Sequence, residues 1–343
     1  MNDPQPRGTI RIGKQEIFTY HRSGWALAID ALRPEHSDAG ILFDGFLDRT
    51  FSQKMNPRYR QELPFTQPWT GFFHNPHSLP NWFPDGPKIE RMLLSEEFRQ
   101  SLPHCAGLFT LSEDLAQFLR ARAGVAVSSL VHPTEIPPAG FDFDSFLAND
   151  DKKIISIGWW LRRTLSIHYL PLDATSPYRK VRLKLGDALL DGTRNGLSRL
   201  EFVHEWRVRK LDAIYRDNTA ESDYLPPAAY DDLLTRNIVF LDLLGASANN
   251  AVIECIARGT PLLVNRLPSV VEYLGANYPF YFHSLEEAAA KACRFDLVQE
   301  AHRHLMANPL RPRLASEVFL EEFRQSAVYR NIVQARQQPT ENG

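Results

Sequence analysis

Cysteine, long apolar runs and net charge are all scarce in this sequence of 343 residues. Its three cysteines, Cys105, Cys255 and Cys293, lie far apart without metal-ligand spacing, so we expect free thiols in a reducing compartment. No window approaches the ~20 apolar residues of a membrane-spanning helix, and the first residues carry no apolar signal core. A formal net charge of −2 argues against nucleic-acid binding, which needs a basic face. We therefore predict a cytoplasmic protein with no transmembrane segment and no nucleic-acid partner.

The remaining composition is typical of a globular protein, with 43% apolar and 23% charged residues. A chain of this length exceeds what a single hydrophobic core ordinarily serves. Proline, glycine and aspartate concentrate at 137–145, which is typical of a linker. We predict two domains, 1–145 and 146–320, followed by a C-terminal helix and tail over 321–343.

The stretch 238–275 carries most of the functional information. Its apolar runs at 238–243 and 261–264 are typical of buried strands in a parallel sheet. Small and polar residues at 245–248 follow the first of these strands. Ligands of α/β sheets bind in the crevice at the carboxyl ends of the strands, so we expect a ligand here.

A helix is predicted between these two strands. Asn249 or Asn250 is positioned to cap its start, and Gly259 is positioned to end it. The N-terminus of a helix presents N–H groups and a positive dipole end, which favours a phosphate. Glu254 lies one turn further into the helix, where its carboxylate can accept hydrogen bonds from a ribose.

Residues 254–261 resemble a signature of retaining glycosyltransferases with the GT-B fold, of the large family-4-like group. Their sequence, Glu-Cys-Ile-Ala-Arg-Gly-Thr-Pro, is similar to the pattern E-A-M-A-x-G-x-P, and 265–272 resembles the strand end and loop that follow. In that family the glutamate that matches Glu254 holds the ribose of a nucleotide-sugar. The resemblance implies an α/β protein of two Rossmann-like domains that face a cleft, with a C-terminal helix that crosses back to the first domain.

The same resemblance implies a site for a nucleotide-sugar donor. Arg162 and Arg163 follow a predicted strand that ends in glycine, and they are expected to neutralise the diphosphate. The family usually carries a lysine at the position of His168, and we expect Lys180 or Lys184 to take over its role here. The residues predicted to bind the donor are Gly24, Gly158, Lys184, Ser247, Asn249, Asn250, Glu254, Leu267, Pro268, Ser269 and Glu272.

The first domain is expected to bind the acceptor. A predicted strand at 16–21 and a turn at Gly24 resemble the first glycine loop of the family. A short predicted strand at 71–73 delivers His74 to its carboxyl end, where the resemblance implies contact with the donor sugar. The catalytic candidates are therefore His74, Arg162 and Arg163.

Each of these assignments has a structural alternative. Glu254 could lie on the solvent side of a generic βαβ unit, and His74 could belong to a proline-rich surface loop. Arg162 and Arg163 could be a surface pair, and Lys180 and Lys184 could lie on a solvated helix face.

The leading hypothesis is a glycosyltransferase of polysaccharide biosynthesis. It would transfer a sugar from a nucleotide-sugar to a glycan, a lipid-linked sugar or another hydroxyl acceptor, with retention and without a metal or a separate cofactor. Basic side chains and a helix dipole can stabilise the leaving diphosphate. The position of the family's usual first glutamate holds Ala246, so a non-catalytic binding or scaffold protein on a degenerate GT-B fold is the alternative. A third hypothesis is another nucleotide-using α/β enzyme, such as an epimerase.

Overall fold

The computed structural model describes residues 8–13, 22–52, 61–80, 88–173, 175–183, 219–222 and 225–337. The chain divides into two compact units. Unit 1 comprises Met1–Ser78, Gly86–Glu135 and Arg313–Gly343, and unit 2 comprises Leu79–Asp85 and Ile136–Pro312. Lys184 and the predicted strand at 16–21 lie outside the described residues.

The strands are numbered here in chain order. They are β1 Ile10–Ile12, β2 Ile41–Asp44, β3 Trp69–Phe73, β4 Cys105–Thr110, β5 Val127–Ser129, β6 Lys152–Ser156, β7 Tyr178–Leu183, β8 Thr219–Ser222, β9 Ile238–Leu241, β10 Leu262–Asn265 and β11 Tyr281–Phe282.

The α-helices are numbered in the same way. They are α1 Trp25–Leu32, α2 Leu47–Phe51, α3 Ile89–Leu93, α4 Glu96–Ser101, α5 Glu113–Ala123, α6 Phe143–Ala148, α7 Ser166–Tyr169, α8 Pro227–Thr235, α9 Asn250–Arg258, α10 Pro268–Leu274, α11 Leu285–Ala292, α12 Phe295–Met306, α13 Ser316–Gln325 and α14 Ala327–Gln337.

Unit 1 contains a parallel sheet with the strand order β1-β2-β3-β4-β5. Every residue of β2 and β3 is buried, as expected for apolar strands covered on both faces. One face packs against α4 and α5 through a cluster that includes Trp69, Phe73, Phe98, Leu108 and Leu115. The predicted strand at 71–73 is therefore the second half of β3.

The C-terminal helices also belong to unit 1. Helix α13 packs against α1, and α14 packs against β4. The Glu35 carboxylate is 3% exposed in relative terms and accepts hydrogen bonds from Arg324 (2.7 Å) and Tyr329 (2.9 Å). Between the two helices, the Ser326 hydroxyl accepts a hydrogen bond from the Tyr329 N–H at 3.0 Å and so caps the start of α14. The C-terminal segment therefore returns to the first unit, as the resemblance implied.

Unit 2 contains a parallel sheet with the strand order β11-β10-β9-β6-β7-β8. The apolar runs predicted at 238–243 and 261–264 contain β9 and β10, which are neighbours in register. Helix α9 joins them and ends at Gly259, whose φ of 68° is the left-handed conformation that glycine adopts readily. The predicted α/β class, with a Rossmann-like sheet in each unit, is confirmed.

Candidate functional site

The order in which the chain adds strands to the sheet of unit 2 reverses between β6 and β9. The chain adds β7 and β8 on one side of β6, and then β9, β10 and β11 on its other side. The loops that leave β6 and β9 therefore diverge, and in open α/β sheets such a switch point is where ligands bind. The candidate site lies at this carboxyl edge.

The loop after β6 has an unusual backbone. Gly158 has a φ of 72°, and a Cβ on it would lie 2.9 Å from Cζ of Arg162. Leu161 has a φ of 57°, the only non-glycine residue with positive φ in the described chain. The Leu244 N–H donates to the Leu161 carbonyl at 2.8 Å, which fixes this conformation. Strained backbone of this kind persists where neighbouring structure holds it, often at functional sites.

The guanidinium of Arg162 lies directly over Gly158. It donates to the Trp160 carbonyl (2.8 Å) and to the Asn249 side-chain oxygen (3.1 Å). Its Nε is buried and has no hydrogen-bond partner within the described residues. Burial lowers the pKa of Arg162 to about 10, while Tyr230 and Glu254 act in the opposite direction. The group is therefore a cation at neutral pH, placed close to a phenol and a carboxylate.

Arg163 points to a different partner. Its guanidinium forms an ion pair of 2.7 Å with Asp242, which also accepts from the Ser166 hydroxyl at 2.6 Å. The Arg163 N–H donates to the Asp242 carbonyl at 2.7 Å. These contacts join the loop after β6 to the loop after β9, so Arg163 helps to hold the position of its neighbour.

The start of α9 is capped by Asn249, one of the two predicted caps. Its side-chain oxygen accepts from the N–H groups of Ala251 (3.1 Å) and Val252 (3.4 Å). The same oxygen accepts a hydrogen bond from the guanidinium of Arg162, so a cation and the helix N-terminus share one acceptor atom. Ser247 is buried in the preceding loop, and Asn250 is the first residue of α9.

Glu254 is buried one turn into α9, with a relative exposure of 2%. The Tyr230 hydroxyl of α8 donates to its Oε2 at 2.7 Å. Arg258 lies 4.0 Å from the same oxygen and forms an ion pair of 2.5 Å with Asp231. The alternative that Glu254 lies on the solvent side of its helix is therefore wrong.

The remaining predicted donor residues of unit 2 follow β10. Leu267 precedes α10 and Pro268 is its first residue. The Ser269 hydroxyl is buried and donates to the carbonyl of Ala246 at 2.5 Å, tying α10 to the loop after β9. Glu272 lies on the exposed side of α10.

Two predicted residues lie in unit 1. Gly24 precedes α1, and His74 directly follows β3. The Nε2–H of His74 donates to the Gly45 carbonyl at 2.7 Å, because a carbonyl can only accept, and this makes Nδ1 the acceptor nitrogen of the ring. The ring stacks on Phe46 with 4.1 Å between centroids. Burial lowers the pKa of His74 to about 3, so the ring is neutral at physiological pH.

Lys180 is engaged elsewhere. Its ammonium is buried on β7 and donates to the carbonyl of His168 at 2.9 Å, and burial lowers its pKa to about 8. Sequence reasoning missed Tyr230, Asp231 and Asp242 as members of the site. Only Asp242 carried a signal, since it is the polar residue that directly follows an apolar strand.

No described helix is long and apolar enough to cross a membrane. In the part of the chain that the structure describes, no group of three or more His, Cys, Asp or Glu side chains is arranged to hold a metal ion.

The two units have the fold of the GT-B glycosyltransferases. The chain is similar to sucrose-phosphate synthase from Thermosynechococcus elongatus, with a TM-score of 0.58 and 13% identity over 91% of this chain and 77% of that one. For TarM the TM-score is 0.54 at 12% identity, over 91% of this chain and 58% of that one. For the UDP-forming α,α-trehalose-phosphate synthase of Burkholderia xenovorans it is 0.53 at 14% identity, over 90% and 78%.

No protein-family model matches the sequence, and no curated protein matches it. Because the solved structures are only 12–14% identical, the likeness is one of fold. The predicted GT-B fold is thereby confirmed.

Proposed function

We propose that this protein is a glycosyltransferase that binds the nucleoside diphosphate of its sugar donor at the switch point of unit 2. One observation carries the proposal. A cationic guanidinium, Arg162, is hydrogen-bonded to the cap of α9 and interacts electrostatically with Glu254, a buried carboxylate one turn further along that helix. A nucleoside diphosphate needs both kinds of group, a cation for its phosphates and an acceptor for its ribose hydroxyls.

Arg162 would carry the electrostatic part of the reaction. When the bond between the anomeric carbon and the diphosphate oxygen breaks, negative charge develops on the leaving group. Arg162 already donates to an oxygen at the start of α9, where the helix dipole also favours an anion. We propose that the diphosphate lies along this edge, close to Gly158, Ser247 and Asn250, with Arg163 holding the loop.

The other donor contacts follow from their places around the site. We propose that Glu254 accepts hydrogen bonds from the ribose. The sugar would face the backbone at Leu267 and Pro268, with Ser269 fixing the loop beneath it and Glu272 beside it. Gly24 and His74 belong to unit 1. The family resemblance leads us to propose that they contact the sugar substrates.

The solved structures make UDP the first nucleotide to test. One is described as a UDP-forming trehalose-phosphate synthase, and S. aureus TarM has been solved with UDP. Another structural neighbour, trehalose-6-phosphate synthase, is described as transferring its glycosyl group with retention. We propose retention here also: the acceptor hydroxyl attacks from the side that the diphosphate leaves, and its proton passes to a leaving phosphate oxygen. NMR of the product's anomeric proton tests this step.

We further propose a glycan, a lipid-linked sugar or another hydroxyl compound as the acceptor, bound by unit 1. A neutral His74, whose Nδ1 accepts a hydrogen bond, suits a sugar hydroxyl. We also propose that transfer needs no divalent metal, since Arg162 supplies the positive charge. Activity that persists in excess EDTA supports this, and activity that EDTA abolishes contradicts it. Free cysteines support a cytoplasmic location.

The decisive experiment is titration of the protein with UDP, with ADP and GDP as comparisons, followed by the variant Arg162→Gln. Loss of a charge-assisted contact of about 1.5–3 kcal/mol should weaken binding roughly 10- to 150-fold. Arg179→Gln is the matched control, because Arg179 is exposed, pairs with Asp151 and lies at the amino end of β7. Equal affinity in both variants would remove Arg162 from the site.

A scaffold protein on the same fold is favoured by one observation. The position of the family's usual first glutamate is Ala246, and its carbonyl is already bonded to Ser269. The two proposals differ in turnover. Slow release of nucleoside diphosphate from one nucleotide-sugar supports the enzyme, whereas the absence of binding and of hydrolysis across a donor panel supports the scaffold. Isomerisation of a donor without an acceptor would indicate an epimerase.

A further inference from the structure

The carboxylate of Glu254 already has a hydroxyl partner from its own chain. The Tyr230 hydroxyl lies 2.7 Å from Oε2, and the ring lies beside the guanidinium of Arg258, 5.8 Å from the ring centroid. Burial, and after it the negative charge of Glu254, raises the pKa of Tyr230 well above its ordinary value. The phenol therefore remains protonated and can donate. A hydroxyl that donates to a carboxylate is the same contact that a ribose hydroxyl would make.

Tyr230 belongs to a lightly anchored element. Leu234 is the only residue of α8 that is fully buried, and the residues on the other side of the helix are exposed. Tyr230 itself is only partly buried. Asp231 pairs with Arg258, which keeps α8 attached to α9 when the phenol moves. Movement of one side chain is therefore enough to take the phenol hydroxyl away from the carboxylate.

We propose that the Tyr230 hydroxyl is an internal substitute for a ribose hydroxyl: it occupies Glu254 in the empty protein and is displaced when a ribonucleotide binds. The inference rests on the proposed function of Glu254. It makes Tyr230 a residue that sets affinity and sugar specificity, because each ribose must compete with the phenol. Ligands without ribose hydroxyls cannot displace it and bind beside it.

The variant Tyr230→Phe keeps the ring and removes the competitor. We expect UDP to bind about three- to tenfold more tightly to Tyr230→Phe, because the ribose hydroxyl then no longer competes with the phenol for the carboxylate. The 2′,3′-dideoxy analogue of UDP should bind both proteins equally. The preference for UDP over this analogue should grow by the same factor, and the melting temperature of the empty variant should fall.

Tyr178→Phe is the matched control. Its hydroxyl is also buried and donates to the carbonyl of Ala292 at 2.8 Å, but it lies at the first residue of β7, at the opposite edge of the sheet. This variant should lose stability without any change in UDP affinity. If the Tyr230 hydroxyl has only a structural role, its removal should weaken UDP binding or leave it unchanged, as expected for Tyr178→Phe.

The outcomes separate the two proposals. If the wild-type protein binds none of UDP, ADP and GDP, the proposed function fails and this inference with it. If the wild type binds UDP in preference to the dideoxy analogue, but Tyr230→Phe binds UDP equally or more weakly, only the displacement of Tyr230 is overturned.

A measurement on the wild-type protein covers a variant that does not fold. Amide hydrogen exchange of residues 227–235 should become faster at saturating UDP, because α8 loses its bond to Glu254. The dideoxy analogue should leave this exchange unchanged. Slower exchange with UDP would overturn the proposal.

Discussion

Both sheets have ionisable side chains at their carboxyl edges, but the two units treat the charge on these groups differently. In unit 1, burial lowers the pKa of His74 to about 3 and that of His132 to about 4, and it raises the pKa of Asp48 to about 6. Burial thus favours the neutral form of all three groups. At neutral pH the two histidines are therefore uncharged, whereas Asp48 is still largely ionised and its carboxylate accepts from the N–H groups of His74 and Asn75.

Unit 2 keeps its charges. At its carboxyl edge Arg162 remains a cation at neutral pH, and Arg163 is paired with the buried Asp242. At the far end of α9, the side chain of Arg258 is 0% exposed and is paired with Asp231. A buried ion needs such partners because water no longer solvates it. The paired cations of unit 2 support our proposal that this unit binds the charged diphosphate. The uncharged histidines of unit 1 support our proposal that unit 1 binds the acceptor.

The largest predicted effect comes from removing a partner of the buried charge in unit 2. Asp231→Ala leaves the guanidinium of Arg258 without its ion pair of 2.5 Å. Removal of one member of a buried pair costs about 3–5 kcal/mol. We therefore expect the urea transition of unit 2 to shift to much lower concentration, measured by circular dichroism.

The neighbouring position provides the control. Asp232 pairs with Arg236, and these two side chains are 64% and 49% exposed. Exposed pairs of this kind contribute about 0–1 kcal/mol, so Asp232→Ala should unfold close to the wild type. Equal losses in the two variants would mean that the charge on Arg258 does not depend on Asp231.

The uncharged ring of His74 in unit 1 predicts a dependence of stability on pH. The pKa of His74 is about 3 in the folded protein, below its ordinary 6.5, so the unfolded chain binds one more proton between these values. Its contribution to stability is present above pH 6.5 and is lost as the pH falls, by about 1.4 kcal/mol per unit for one proton. His74→Gln removes this contribution while keeping a donor for the Gly45 carbonyl.

Urea unfolding at pH 7.5 and pH 5 measures the change. The wild type should lose more stability on acidification than His74→Gln does. His104→Gln, at an exposed histidine of the same unit, should keep the wild-type dependence. If His74→Gln is as acid-sensitive as the wild type, the neutral state of His74 is not what stabilises this edge.

The sequence predicted the features of unit 2 that depend on nearby residues. Strands β9 and β10 followed from short apolar runs, and Asn249 and Gly259 followed from the residue types that begin and end helices. The site at the carboxyl edge followed from the fold class. The family resemblance contributed Glu254, whose burial agrees with a role inside the site.

The partners of these residues could not be predicted in the same way. Tyr230 is 24 positions from Glu254, and Arg163 is 79 positions from Asp242, so both contacts depend on strand order and helix packing. Neither periodicity nor capping rules contain that information. The sequence analysis also treated Arg162 and Arg163 alike, whereas in the structure the first is bonded to Asn249 and the second to Asp242. The roles of the predicted site residues stay predictions.

A pair of glycines, one in each unit, isolates the smallest effect. Gly158 and Gly124 have φ values of 72° and 69°, so alanine at either position costs about 1 kcal/mol of backbone strain. A Cβ at Gly124 meets nothing within 4 Å, whereas one at Gly158 would lie 2.9 Å from Cζ of Arg162. Only the second change must move a side chain.

Gly158→Ala and Gly124→Ala should therefore lower the melting temperature by similar amounts, but they should differ in their affinity for UDP. Displacement of the Arg162 guanidinium should weaken UDP binding about tenfold in Gly158→Ala, a loss within the range of a charge-assisted contact. Gly124→Ala should titrate like the wild type, because its strain lies in unit 1, where no donor contact is proposed for it. Wild-type affinity in Gly158→Ala would mean that the close approach of glycine and guanidinium does not position the charge. The contrast between the cations of unit 2 and the uncharged histidines of unit 1 would then have to rest on groups other than Arg162.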